Sequence, residues 1–296
     1  MSLEILEFNA FTTNGKGGNR AAVVFGFNLE SERKMIELAS SIGAPATVFV
    51  GISDTLFEDE SPLPLRLRFF TPYIEENVCG HGTIAALTAI QARGGLNGWE
   101  VPKDVFQLET NLGIQNAKLE AGTAWLEYPN PSAWAITLER EAVAIALGLE
   151  EIDLHEDLPI MGAGVGRSKI VCAVPSTILL DAIEPNLEEI KALCLETGTT
   201  GIMIFTFPAR GGCFTDSRHF SVQENTVLED AATGNAHSAL AAYLGANQFF
   251  DNGKRSFSGA QGYAMRQPSK LEVRCEVLDG SVSSVWIGGK AMEVKV

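Results

Sequence analysis

Residues Leu65 to Ala86 read LRLRFFTPYIEENVCGHGTIAA, and the fold turns on how this stretch divides. The alternation of Leu65, Arg66, Leu67, Arg68 and Phe69 predicts a strand that Pro72 stops. After an acidic turn, Cys79-Gly80-His81-Gly82-Thr83 leads into the alanine-rich apolar run Ile84 to Ile90, which is helical in composition. Two glycines in the first turn let the backbone come close to a ligand, and the free N–H groups and dipole of a helix start attract negative charge. Cys79 and His81 therefore sit where an anion would bind, and a histidine there donates to a carboxylate or moves a proton. The competing reading is a helix start that needs small residues for packing, with a buried thiol and an incidental imidazole.

A second copy of the pattern lies downstream. Leu228 to Leu244, LEDAATGNAHSALAAYL, again places acid, small residues, Thr233-Gly234-Asn235 and His237 ahead of an alanine-rich helix, and matching Gly80 with Gly234 gives an offset of 234 − 80 = 154. Upstream of it, Thr215 to Phe220 resembles the first strand. A predicted helix from Met35 to Ile42, stopped by Gly43 and followed by a strand at Val48, matches a predicted helix from Leu187 to Leu195, stopped at Gly198 and followed by a strand at Ile202. Both halves end in short strands separated by turns, at Phe106–Tyr128 and Leu271–Ile287. An ancient duplication accounts for this, and at such a period it yields two similar domains and no solenoid. The expected fold is α+β, two pseudo-symmetric domains, each a curved and mostly antiparallel sheet wrapped around a central helix. The expected boundaries are 1–130 and 131–296, with a hinge at Asn130-Pro131-Ser132 and a final strand that crosses over. Joined end to end, two such domains would bring their helix starts to one cleft, where ligand sites favour domain interfaces.

Composition narrows the function. The chain has 296 residues, 46% hydrophobic, with a formal net charge of −15, which argues against a general nucleic-acid or anionic-membrane binder. No run approaches a membrane span, and the first residues lack a basic region followed by an apolar block, so a soluble cytoplasmic protein is expected. The five cysteines are odd in number and scattered, with neither CxxC pairs nor zinc spacing. The glycine-rich Asn14 to Asn19 is followed by a strand, which makes a nucleotide loop a weak reading.

Several motifs in order resemble the phenazine-biosynthesis isomerase (PhzF-like) family. They are Phe11 with Gly18-Asn19 and Ala21 to Val24, Leu67 to Pro72, Cys79 to Thr83, Arg218 with Phe220, Glu229-Asp230 with Thr233-Gly234 and Ala236-His237, and Gln261-Gly262 with Arg266. The resemblance implies a diaminopimelate epimerase-like fold with the active site between two halves, a homodimer, no metal and no organic cofactor. It also implies acid–base chemistry on a small carboxylic acid, in which a proton leaves one carbon and returns to another. On this resemblance the catalytic candidates are His81, Asp230 and Cys79, and the substrate-binding candidates are Asn19, Gly80, Gly82, Thr233, Gly234 and Asn235. The epimerases of this fold use one thiol from each half, and Thr233 stands where the second would be. One departure matters more: family members carry a catalytic Glu where this chain has Ala46, and alanine cannot carry a proton. Three function classes follow: an isomerase with a rearranged base, a small-molecule binding or regulatory protein that kept the pocket and lost the chemistry, and a purely structural interaction module with no ligand in the cleft. Arg218 and Arg266 read equally as carboxylate ligands or structural ion pairs, His219 and His155 read as structural, and His237 faces either core or cleft.

Overall fold

The computed structural model describes residues 3–27, 31–53, 65–96, 105–223 and 226–294. The chain divides into two compact units, Met1–Glu127 with Gly288–Val296, and Tyr128–Ile287. Residues 53–64, which the sequence makes an acidic loop, lie outside the described residues except for Ser53.

In the first unit β1 (Glu4–Ala10) and β2 (Asn19–Phe25) form an antiparallel hairpin. Helix α1 (Glu32–Ile42) then carries the chain over, so that β3 (Ala46–Ile52) lies parallel to β2. The α1 pattern is amphipathic: Met35 and Ala39 are fully buried and pack with Val24, Phe49 and Phe70. Gly43 ends it in the left-handed conformation, φ 66°. Ser31, the expected cap, occupies the cap position, but its hydroxyl makes no capping bond. Strand β4 (Leu65–Phe70) runs antiparallel to β3, and the two-residue β5 (Glu75–Glu76) folds back on β4. Helix α2 (Gly80–Ala92) follows, four residues longer at its start than the apolar run predicts, because the glycines of the first turn are themselves helical. Seven of its apolar or small residues between Gly82 and Ile90, together with Thr83, are buried, as befits a helix enclosed by strands on all sides. Strand β6 (Phe106–Thr110) pairs parallel with β4, and β7 (Gly113–Glu120) and β8 (Thr123–Pro129) complete the expected meander.

The second unit begins with β9 (Ser132–Ala135), followed by α3 (Arg140–Leu147) and β10 (Met161–Gly164), which pairs antiparallel with β9. Strand β11 (Lys169–Ala173) is antiparallel to β10. Helices α4 (Thr177–Ala182) and α5 (Leu187–Thr197) carry the chain to β12 (Gly201–Thr206), which lies parallel to β11. Strands β13 (Thr215–Gln223) and β14 (Thr226–Glu229) form the antiparallel pair that feeds α6 (Gly234–Ala246). Strand β15 (Gly253–Gln261) pairs with β13 in parallel and with β16 (Ser269–Leu278) antiparallel. Strand β17 (Ser281–Gly289) leads to β18 (Ala291–Glu293), which returns to the first unit and pairs with β1. Most of the pairings described above are antiparallel, and the parallel ones, β2–β3, β4–β6, β11–β12 and β13–β15, fall where a helix or a long connection intervenes. A separate apolar core, Val143, Leu147, Leu180, Ile190, Ile202 and Phe220 among others, lies under α3, α4 and α5.

One local arrangement recurs in both units. Phe70 faces Glu75 across the β4–β5 ladder and Arg68 grips Glu75 through Nε and Nη2 at 2.7 and 2.6 Å. Phe220 faces Glu229 across β13–β14, and Arg218 grips Glu229 through the same two nitrogens, each at 2.8 Å. Each guanidinium also lies over the phenylalanine two residues on, at 5.5 and 5.1 Å.

Candidate active site

In the first unit the site is built around the start of α2. Cys79 holds the cap position in an extended conformation, so Gly80, His81 and Gly82 form the first turn, whose N–H groups have no partner within the helix. His81 Nδ1 lies 3.5 Å from Cys79 Sγ and 3.4 Å from Asn19 Nδ2. With the amide as donor, Nδ1 accepts, which leaves the imidazole proton on Nε2. Asn19 is buried at the first residue of β2 and is thereby fixed against the imidazole. Gly82 lets the helix start press on β3: a Cβ there would stand 2.8 Å from Val48 Cγ2 and 3.2 Å from Cys79 Sγ. The Arg68–Glu75 pair clamps the turn just upstream, and the guanidinium is held firmly charged by that bond. Ala46, 4% exposed, opens β3 on the same face as Val48. A thiol, an imidazole and the first turn of a helix thus lie together, a setting that suits holding a carboxylate and moving a proton.

In the second unit the corresponding feature is the start of α6, capped by Thr233. Thr233 Oγ1 donates to Asp230 Oδ2 at 2.5 Å and lies 3.1 Å from His219 Nδ1. Because the hydroxyl proton goes to the carboxylate, His219 supplies the proton of its contact from Nδ1. Gln261 closes the group: its Nε2 donates to Asp230 O at 2.5 Å and to Thr233 Oγ1 at 3.2 Å, and its Oε1 accepts from Thr233 N. Asp230 is thereby held by its backbone and by one oxygen. Asn235 donates to Val165 O at 3.2 Å, which ties the 165–168 loop to the helix start.

Burial around this group keeps the cationic forms out. His219 is held well below the usual imidazole range, first by desolvation and then by the neighbouring Lys169, and its Nε2 is buried without a hydrogen-bond partner. Lys169, 2% exposed, donates to Thr200 Oγ1 and Arg167 O, and burial lowers it to about 7. His237 belongs to the core: it is fully buried, its Nδ1 meets Thr233 O, and its Nε2 lies where a Cβ on Gly259 would stand. Arg218 is taken up by Glu229 and by the carbonyls of Leu180 and Ile183, and so serves the end of α4. A groove of about 780 Å3 in this unit, lined by residues such as Ala242, Phe250, Asp251 and Asp279, lies by the far end of α6, roughly 18 Å along the axis from Thr233. It is remote from these side chains.

The family model for phenazine biosynthesis-like proteins, PhzC-PhzF, matches residues 8–295. The chain belongs to this family. The uncharacterized isomerase YddE of Escherichia coli (strain K12) is 31% identical over 99% of this chain and 96% of its own length. An uncharacterized isomerase of Deinococcus radiodurans is 32% identical over 96% and 91%. The solved structure of a Bacillus anthracis phenazine biosynthesis protein of the PhzF family superposes with a TM-score of 0.85 at 24% identity, covering 100% of this chain and 98% of that one. A predicted epimerase from Pseudomonas aeruginosa gives 0.76 at 20% identity, covering 99% and 98%. These likenesses establish a PhzF, epimerase-like fold.

The first unit brings together Asn19, Cys79, Gly80, His81 and Gly82, and the second brings together Asp230, Thr233, Gly234 and Asn235. His219, set aside from sequence as structural, touches the Thr233–Asp230 pair, as does Gln261. Their signal was weak because each reaches the loop across strand pairings and not along the chain. Among the described residues no group of three or more His, Cys, Asp or Glu is placed to hold a metal ion, and no helix is long and apolar enough to cross a membrane.

Proposed function

We propose that this PhzC-PhzF protein is an isomerase that moves a proton on a small carboxylic acid without an organic cofactor. The observation that carries the reading is the Cys79–His81–Asn19 group at an open helix turn, where backbone donors suit a carboxylate and the imidazole suits proton transfer. The Asp230–Thr233–His219–Gln261 group supports it: a carboxylate oriented by the Thr233 hydroxyl, on a loop that the Gln261 amide braces at the Asp230 carbonyl, is prepared to hold the substrate's polar group. The similarity to uncharacterized isomerases of Escherichia coli and Deinococcus radiodurans agrees with the reading. In this reading Gly80, Gly82, Gly234 and Asn235 line the substrate, and Ala46 stands where the family's catalytic Glu is expected.

The test is proton exchange in D2O, followed by NMR over a panel of small cyclic and amino-substituted carboxylic acids. At least one acid is expected to take up deuterium at carbon, and His81→Ala to slow this by about a hundred- to ten-thousand-fold, the usual contribution of a positioned acid or base. A second reading, a binding or regulatory protein, draws on the buried alanine at position 46. It predicts saturable binding of an acid from the panel with no exchange at any carbon.

A further inference from the structure

The proposed isomerase reading leaves the first unit without the acid that position 46 would supply. The sequence Glu75-Glu76-Asn77-Val78-Cys79-Gly80 parallels Glu229-Asp230-Ala231-Ala232-Thr233-Gly234, with the paired Glu, a second acid, two spacers, the cap residue and the first helical glycine in the same order. The backbone agrees with the sequence. Glu75 and Glu229 are gripped alike by Arg68 and Arg218, and each faces a phenylalanine across its ladder. One residue further, Glu76 faces Phe69, and Asp230 N donates to His219 O, the residue before Phe220. Glu76 therefore holds in the first unit the position that Asp230 holds in the second.

The ladder also fixes which way Glu76 is directed. Val48, Phe69 and Glu76 face one another across β3, β4 and β5, and residues opposite each other in a sheet stand on the same face. That face is turned to the start of α2, since Val48 Cγ2 and Phe69 Cδ1 are the atoms a side chain on Gly82 would strike. Ala46, two residues before Val48, is on it as well. Positions 46 and 76 thus share one sheet face beneath Cys79 and His81, one on β3 and one on β5, about 12 Å apart, two strand spacings across and two residues along. Glu76 is half-buried there.

We infer that Glu76 is the proton carrier of the first unit, an acid moved two strands from position 46. Its carboxylate takes a proton from one substrate carbon, so that the C–H bond breaks as an O–H bond forms; the carboxyl proton exchanges with solvent, and a proton then passes from the carboxyl to another carbon, which restores the carboxylate. Nothing else is consumed. The inference rests on the isomerase reading, and the experiment separates the two. With an acid from the panel that the wild-type protein exchanges, Glu76→Gln is expected to lose exchange at least about a hundred-fold while its affinity for that acid, read by calorimetry, changes little. Glu76→Asp should keep part of the rate, and Ala46→Glu placed in the Glu76→Gln protein should restore exchange, an effect that a structural role for Glu76 would not produce. Exchange by Glu76→Gln within threefold of wild type overturns the assignment and leaves the isomerase reading standing. Absence of exchange by wild type across the whole panel overturns both.

Discussion

At Gly82 one hydrogen in place of a methyl group decides how closely α2 lies on β3. An added Cβ would meet Val48 Cγ2 at 2.8 Å and crowd Cys79 Sγ and Phe69. Gly82→Ala is expected to cost about 1 to 3 kcal/mol through overpacking and to part Cys79 from His81; urea unfolding gives the first and the exchange rate the second. Wild-type stability with lost exchange would place the effect on the site alone. Much of this half-site was legible in the sequence, since Cys79 to Gly82 are consecutive and a cap residue with two glycines ahead of an apolar run has one local meaning. His219 was not, because its partner Thr233 lies 14 residues away and is reached only through the β13–β14 pairing. Lys169 belongs to none of the sequence motifs, and nothing in the sequence says that its side chain is buried against Thr200.

Among the elements, β13 is tied to α4 and β14 by one side chain. Arg218 is buried and bonds both oxygens of Glu229 while its Nη1 takes the carbonyls of Leu180 and Ile183. Glu229→Gln removes the charge and leaves the guanidinium uncompensated, so a loss of about 3 to 5 kcal/mol is expected in denaturant unfolding. A loss under 1 kcal/mol would mean that the two carbonyls suffice for Arg218. The helices divide by how they are buried. α1 was readable because only one face is buried and its apolar residues recur at helical spacing, and Gly43 and Gly198 marked helix ends by adopting the left-handed conformation. α3, eight residues with an alanine-rich centre, and the six-residue α4 escaped notice, since a stretch that short shows too few periods to stand apart from a buried strand.

For the molecule as a whole, the buried bases set how stability follows pH. His237 is lowered from 6.5 to about 4 by desolvation, partly offset by its bond to Thr233 O, and His219 is lowered too. The unfolded chain takes up protons that the folded one excludes, so this stability is complete above pH 6.5 and is lost as pH falls toward 4, about 3 kcal/mol for His237. Lys169 acts with the same sign higher up: the unfolded amine keeps its proton to 10.5 and the folded one only to about 7, so stability rises over that interval. Urea midpoints between pH 4 and 7.5 should fall steeply toward acid, and less so for His237→Gln; equal slopes would show that His237 is not the group that titrates. Beyond titration, the β1–β18 pairing bears on the order of events at the ribosome. The partner of Phe8, Asn9 and Ala10 is translated after every residue of the second unit, so the first unit cannot complete its sheet before the whole second unit has been made.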